Sequence, residues 1–260
     1  MDKQEDVIVT YGKEIVNIRF NRPRQLNALN ENIRSVIAST LNELMERPDI
    51  RLLVFSGEGK SFCSGADLKT TSYPKVEGDW STRRNRTATW QRLLEQLDRI
   101  PQVSIASIQG HVIGGGALLA TACDFRVITK NTIFRIPELA LGIPNVWNGT
   151  PLLAREVGLP VTRDWVMTAR KVYADELMSA HWAQRCAEDG ELGQATETLI
   201  GELLQMPAAP LALTRGMTSS LGRGKSGMQL GWADADLQQW ALNEEEYHAA
   251  VEAYLGSMSK

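Results

Sequence analysis

The chain has 260 residues, 43% of them hydrophobic and 23% charged, with a formal net charge of −3. That is ample chain for one large domain or two modest ones, in the balance of an ordinary globular enzyme, and nothing in it recommends nucleic acid or another polyanion as a partner. No apolar run reaches the length of a membrane span, and the charged start Met1-Asp2-Lys3-Gln4-Glu5-Asp6 is unlike a signal peptide, so the chain is expected in the cytoplasm with no membrane partner.

Residues 7–10 and 15–20 alternate around Tyr11-Gly12-Lys13 and predict a hairpin. Apolar residues at Ile33, Val36, Ile37, Leu41 and Leu44 predict a helix over 29–45 capped by Asn30. Residues 51–55 read as a buried strand stopped by a Gly-rich turn. The polar stretch 70–86 holds no core pattern and reads as a surface loop, whereas Trp90, Leu93, Leu94, Leu97 and Ile100 form a helical stripe halted by Pro101. A second buried strand follows over 103–108, then a helix over 117–122 and strands over 125–129 and 132–136. After about residue 150 the strands fade. Helices are expected over 151–157, 161–169, 174–183, 194–204, 211–221 and 229–255. The loosely repeated strand-strand-helix order of the first half predicts turns of a superhelix rather than a doubly wound sheet.

Two Gly-centred turns follow the buried strands. The first is Ser61-Phe62-Cys63-Ser64-Gly65-Ala66-Asp67-Leu68; the second runs from Gly110 to Gly114-Gly115-Gly116 and opens a helix. Glycines at a strand-to-helix junction admit a ligand close to the backbone and leave the first helical N–H groups free. Two such turns on neighbouring strands present two N–H groups to one point, as an oxyanion hole requires, although either turn alone reads equally well as packing. Glu138, between Pro137 and the apolar Leu139-Ala140-Leu141, admits two readings. Desolvation raises its pKa and suits it to proton transfer, or it pairs with N–H groups at a helix start. Cys63, Cys123 and Cys186 lack metal or redox spacing and read as reduced thiols. His111, His181 and His248 show no metal-ligand spacing, so no metal site is expected. Gly224-Lys225-Ser226 lacks the preceding glycine and strand of a phosphate-binding loop.

Taken together, Asn21-Arg22-Pro23 with Leu26-Asn27-Ala28-Leu29, Phe62 to Leu68, Gly110 to Asp124, and Pro137-Glu138 with Leu141-Gly142 resemble the enoyl-CoA hydratase/isomerase (crotonase) superfamily. The resemblance implies an α/β fold: a (β-β-α)n superhelical core over 1–195 and a helical C-terminal trimerisation region over 196–260 that also covers the active site. It implies acyl-CoA substrates, with coenzyme A as part of the thioester and no permanently bound cofactor, and a homotrimer or hexamer. The thioester oxygen maps onto the N–H groups of Ala66 and Gly115. The CoA moiety maps onto Arg24 and the stretch Ser64, Ala66, Asp67 and Leu68, and Leu118 and Trp147 fall in the substrate pocket.

One departure bears on the reaction. Hydratases of this superfamily carry a glutamate just after the glycine triplet, where this chain has Leu118, and a second that is retained as Glu138. A lone carboxylate suits proton transfer between two carbons, and residues 139–148 with Trp147, like the tail Ala233-Asp234-Ala235-Asp236-Leu237-Gln238 with Tyr254-Leu255, resemble mitochondrial-type Δ3,Δ2-enoyl-CoA isomerases. The expected activity is therefore that isomerisation, with Glu138 as proton shuttle. The alternatives are a hydratase or other lyase in which a residue of the 145–148 loop or the C-terminal helices replaces the missing glutamate, or a non-catalytic acyl-CoA-binding homologue. An RNA-binding role is discounted because residues 31–47 contain no lysine. His181-Trp182 has no functional reading.

Overall fold

In the computed structural model, which describes residues 5–68, 79–226 and 234–257, β1 (Val7–Tyr11) and β2 (Ile15–Phe20) form the expected antiparallel hairpin, with Val16, Ile18 and Phe20 turned inward. Asn30 caps α1 (Glu31–Leu44), its side-chain oxygen accepting from the Ile33 N–H at 2.9 Å. The chain continues through β3 (Leu52–Gly57), α2 (Trp80–Thr87) and α3 (Thr89–Leu97). A further turn comprises β4 (Val103–Ile108), β5 (His111–Ile113) and α4 (Gly115–Ala122). The next comprises β6 (Phe125–Thr129), β7 (Ile133–Arg135), a 3-10 turn over Glu138–Leu141 and α5 (Gly149–Thr168). β8 (Val172–Tyr173), α6 (Ala174–Ser179), β9 (Arg185–Ala187), α7 (Leu192–Gln205), α8 (Ala208–Ser226), α9 (Asp234–Ala241) and α10 (Glu245–Ser257) follow.

The turns stack as a superhelix. One sheet runs β1-β2-β3-β4-β6-β9, parallel from β2 onward; the other runs β5-β7-β8. Parallel bridges between Leu29 and Ala66 and between Cys63 and Val112 carry this second column back through the first turn. All six residues of β4 are buried, because both faces of the large sheet are covered. The main core fills one face. On the other, Leu199, Ile200 and Leu203 of α7 pack on Leu52, Val54, Val103, Ile105 and Val127. The division expected at 195/196 falls within α7.

Several local expectations need correction. Part of the predicted 70–86 loop, residues 70–78, lies outside the described residues, but 80–87 is helical. Asp79 caps α2 by accepting from the Thr82 N–H, and Thr87 is buried against α9. Strands do not end at 150: β8 and β9 are two- and three-residue extensions of the two sheets, too short to show an alternation. The helices expected over 151–157 and 161–169 are one element kinked at Gly158, whose φ of 76° breaks the helix just before Pro160. The helix expected over 174–183 stops at Ser179, because His181 adopts a left-handed φ of 58° and Trp182 turns into the core. The last predicted helix, whose start at 229 lies outside the described residues, is broken at 242–244.

Trp182 is fully buried, packs edge-on against Phe134, and donates its indole N–H to Thr121 at 3.0 Å. The fully buried Arg126 closes the end of α4, donating to the carbonyls of Ala120, Thr121 and Cys123 and to Glu156 at 2.8 Å. The His181-Trp182 pair therefore belongs to the packing that holds α4 in place.

Asn27 holds the first turn together. Its fully buried amide donates to the carbonyls of Glu58 (3.0 Å) and Ser61 (2.8 Å) and accepts from the Arg22 N–H (2.9 Å). Asn27→Ala leaves all three backbone groups unpaired and should destabilise the protein by about 2–3 kcal/mol in urea unfolding. A loss below about 0.5 kcal/mol would remove Asn27 from this role.

Candidate active site

The loop 61–68 is tied on two sides. The Cys63 N–H donates to the His111 carbonyl at 3.0 Å, and the Ile113 N–H donates to the Cys63 carbonyl at 2.9 Å. The Leu29 N–H donates to the Gly65 carbonyl at 2.7 Å, and the Asp67 N–H donates to the Leu29 carbonyl at 2.9 Å. In a parallel bridge of this kind the middle residue, Ala66, uses neither of its own backbone groups on Leu29, so its N–H faces away from that partner. Arg22 secures the arrangement from beneath, its guanidinium donating to the Ala28 carbonyl at 2.6 Å and to the Asp67 carboxylate at 2.8 Å. Gly115 begins α4, where a backbone N–H has no intrahelical acceptor.

The glycine triplet is required by what surrounds it. Gly114 has φ 50°, and a Cβ there would stand 2.9 Å from Glu138 Oε1. A Cβ on Gly115 would lie 2.5 Å from Cζ3 of Trp147, and one on Gly116 would lie 2.6 Å from Sγ of Cys63. The triplet thus brings three things to one place: the start of α4, the carboxylate of Glu138 and the indole of Trp147. Glu138 opens its 3-10 turn with a backbone contact to its own N–H, while its Oε2 is buried without a hydrogen-bond partner. Burial pushes its pKa up to about 7, against a lesser pull downward from Arg135. Features of both readings meet in this residue: a contact with the N–H at the start of the turn, and an unpaired oxygen whose burial raises the pKa.

Trp147 and Asn148 both sit in the left-handed region, with φ of 60° and 58°. Non-glycine residues hold such angles only where their surroundings over-determine them. Here the Asn148 N–H donates to Asp234 of α9 at 2.7 Å and its side-chain amide to Glu95 of α3 at 2.9 Å. The Trp147 indole stacks on Trp90 with centroids 5.3 Å apart and donates to Gln238 at 3.2 Å.

A cavity of about 240 Å³ joins these features. Every site residue expected from the sequence lines it: Arg24, Ser64, Ala66, Asp67, Leu68, Gly115, Leu118, Glu138 and Trp147. The Asp67 carboxylate is held by Arg22, so the two carboxylates of the lining differ in kind. Arg24 is exposed and Leu118 buried. Asn145 and Val146, from the 145–148 loop that the lyase alternative draws on, also line the cavity, as does Ile143, which looks like an ordinary core residue in the sequence. Gln238, Tyr254 and Leu255, which belong to the tail that shares the isomerase resemblance, reach it from α9 and α10, about a hundred residues beyond Glu138. Among the described residues no group of three or more His, Cys, Asp or Glu is placed to hold a metal ion, and no helix is long and apolar enough to cross a membrane.

A spiral of strand-strand-helix turns, with two backbone turns and a buried carboxylate around one cavity, defines a crotonase-fold enzyme. Residues 10–258 match the family described as Enoyl-CoA hydratase/isomerase. A probable enoyl-CoA hydratase of Mycobacterium bovis is 30% identical over 225 residues, covering 85% of each chain. The mitochondrial Delta(3,5)-Delta(2,4)-dienoyl-CoA isomerase of Mus musculus is 29% identical over 194 residues, 71% of this chain and 59% of that one. The crystal structure of a putative enoyl-CoA hydratase from Thermobifida fusca in complex with CoA matches with a TM-score of 0.76 at 29% identity, covering 98% of this chain and 95% of that one. The chain belongs to the enoyl-CoA hydratase/isomerase family.

The raised pKa of Glu138 links stability to pH. The folded protein keeps a proton that the unfolded chain releases near 4.5, so this group's contribution is fully present below that value and is lost as pH rises through about 7. Glu138→Gln does not titrate. In denaturant unfolding the variant should gain stability relative to wild type between pH 5 and pH 8. A difference independent of pH would mean that the carboxylate is not desolvated.

Proposed function

We propose that this enzyme binds an acyl-CoA thioester with its carbonyl oxygen between the Ala66 and Gly115 N–H groups, and that Glu138 moves a proton along the acyl chain. With a 3-enoyl-CoA, the carboxylate takes the proton from C2 and the electron pair passes into the thioester, forming an enolate held by the two N–H groups. The carbonyl re-forms as C4 takes the proton back from Glu138, and the double bond moves from C3–C4 to C2–C3. Fixed N–H dipoles in a dry site stabilise the enolate without reorganising at the moment of reaction. The observation that carries this reading is the environment of Glu138: half-buried, with one carboxylate oxygen buried and unpaired, set against Gly114 and lining a cavity that the apolar Leu118 also lines. A base close to neutral pKa both removes and returns a proton.

The CoA moiety runs along the backbone of Ser64, Ala66, Asp67 and Leu68, with Arg24 at the exposed rim meeting its phosphates. That the Thermobifida fusca protein was crystallised in complex with CoA supports a CoA thioester as the ligand. The curated relatives include proteins named as hydratases and as isomerases, so the choice between the two reactions rests on Leu118 and Glu138.

Association belongs to the same proposal, with 196–260 serving as site cover and contact region. The tail is committed partly within the chain: Ala241, Leu242 and Tyr247 are buried with Ile143, while Tyr254 and Leu255 line the cavity. Trp232 lies outside the described residues. The stronger support for association is a row on α8, where Leu213, Met217 and Leu221, four residues apart, are each about two-thirds exposed at 67%, 68% and 64%. Light scattering at micromolar concentration should return a trimer or hexamer, and a monomer would refute it.

Wild-type protein should isomerise 3-enoyl-CoA faster than it hydrates 2-enoyl-CoA. Glu138→Gln should lower isomerisation by on the order of 10²–10⁴-fold with little change in acyl-CoA affinity. Rapid hydration by wild type, with Glu138→Gln still active, would assign the chemistry to another group.

A further inference from the structure

Asn145 stands beside the position where the resemblance leads one to look for a second glutamate. A Cβ on Gly149 would lie 2.5 Å from Oδ1 of Asn145 and 2.9 Å from Cδ1 of Leu118, so the amide oxygen and the leucine methyl press on the same point of the backbone. The Asn145 amide nitrogen is directed to the Thr150 hydroxyl at 3.4 Å. Its oxygen is buried and has no hydrogen-bond partner, and Asn145 lines the cavity together with Leu118 and Glu138. A buried amide oxygen left unpaired is destabilising, and a fold seldom keeps one where an apolar residue would serve. Glu138 Oε2 is the other unpaired buried oxygen of the lining. Both oxygens belong to residues of the cavity lining, and Leu118, which packs on the same point of Gly149 as the Asn145 amide, supplies no donor.

We infer that Asn145 is a specificity and positioning residue whose amide oxygen accepts a hydrogen bond from an O–H group at the acyl end of the bound thioester. The inference rests on the acyl-CoA reading above. The O–H has two sources that share this chemistry: a hydroxyl carried on the acyl chain, or a water that adds to a 2-enoyl-CoA, its oxygen bonding to C3 while a proton goes to C2. In either case the amide orients the O–H and takes no proton itself. Its place beside Leu118 lets a neutral group serve in orientation without bringing a second negative charge near Glu138.

The test compares wild type with Asn145→Leu, which keeps the bulk and removes the acceptor, and with Asn145→Asp, which keeps an acceptor oxygen. Binding is measured by calorimetry for a 3-hydroxyacyl-CoA and for the saturated acyl-CoA of equal length. Hydration of the matching 2-enoyl-CoA is followed separately, and thermal unfolding confirms that each variant is folded. If the acyl hydroxyl is the donor, wild type prefers the hydroxyacyl ligand about tenfold, Asn145→Leu loses that preference without changing saturated acyl-CoA affinity, and Asn145→Asp retains most of it. If water is the donor, wild type shows no preference between the ligands, and Asn145→Leu lowers the kcat of hydration about tenfold with KM unchanged. Equal affinities for the two ligands in wild type, with hydration unaltered in Asn145→Leu, would overturn the inference and leave the acyl-CoA reading standing. Failure of wild type to bind even the saturated acyl-CoA would overturn both.

Discussion

Three glycines in a row allow the backbone at the start of α4 to pass where no side chain fits. The sulfur of Cys63 lies against Gly116, the indole of Trp147 against Gly115 and the carboxylate of Glu138 against Gly114. Cys63 comes from the turn before α4, and Glu138 and Trp147 both come from the turn after it, so the close approach that brings the site together also joins three successive turns of the superhelix. The two backbone turns are not free to separate, because hydrogen bonds between Cys63 and the β5 strand fix one to the other. Any Cβ in the triplet would push one of these partners away. Reactive geometry and packing of the superhelix are here the same constraint.

The remaining walls are held by polar clamps. Asn27 pins the chain before Leu29 to the loop after β3, and Arg22 ties Asp67 to Ala28, so the segment bearing Ala66 is braced on both flanks. The 145–148 loop is clamped by Glu95 and Asp234, which come from helices far apart in sequence. These clamps hold the left-handed angles at Trp147 and Asn148, and those angles lay the indole over Gly115. The tryptophan rotamer is set further by stacking on Trp90 and by the hydrogen bond to Gln238. The pocket wall at the start of α4 thus depends on α3, α5 and α9 at once.

What was legible in the sequence follows from this arrangement. The buried strands announced themselves because both faces of the large sheet are covered and their residues are uniformly apolar, as in Val103 to Ile108. The glycine turns and Pro137-Glu138 were visible because close approach and desolvation demand particular residue types. β5, β8 and β9 left no signal, since two or three residues cannot display a period and their pairing comes from neighbouring turns of the spiral. α2 was hidden because its only buried residue, Thr87, is polar and packs on α9. The tail was legible as a cover for the site through the resemblance, but which of its side chains reach the cavity, Gln238, Tyr254 and Leu255, depends on how it folds back. Trp182 shows the reverse case, an unusual residue at a turn that proves to be core.

The replacement of a carboxylate by Leu118 alters more than the number of catalytic groups. In water a glutamate has a pKa near 4.5, which makes it a weak base toward carbon and its conjugate acid a reluctant one to form. In a cavity that Leu118, Val146 and Trp147 also line, burial strips hydration from the charged form of Glu138, and its pKa rises to about 7. Basicity and proton affinity rise together. For the isomerisation proposed above, part of the population at neutral pH would remain ionised to take a proton, and the protonated form would be stable enough to give it back. A second carboxylate in place of Leu118 would need water or cations to hold its charge, and that solvation would relax the desolvation acting on Glu138. An apolar neighbour therefore favours a single group that both takes and returns one proton over a pair that divides the work through water.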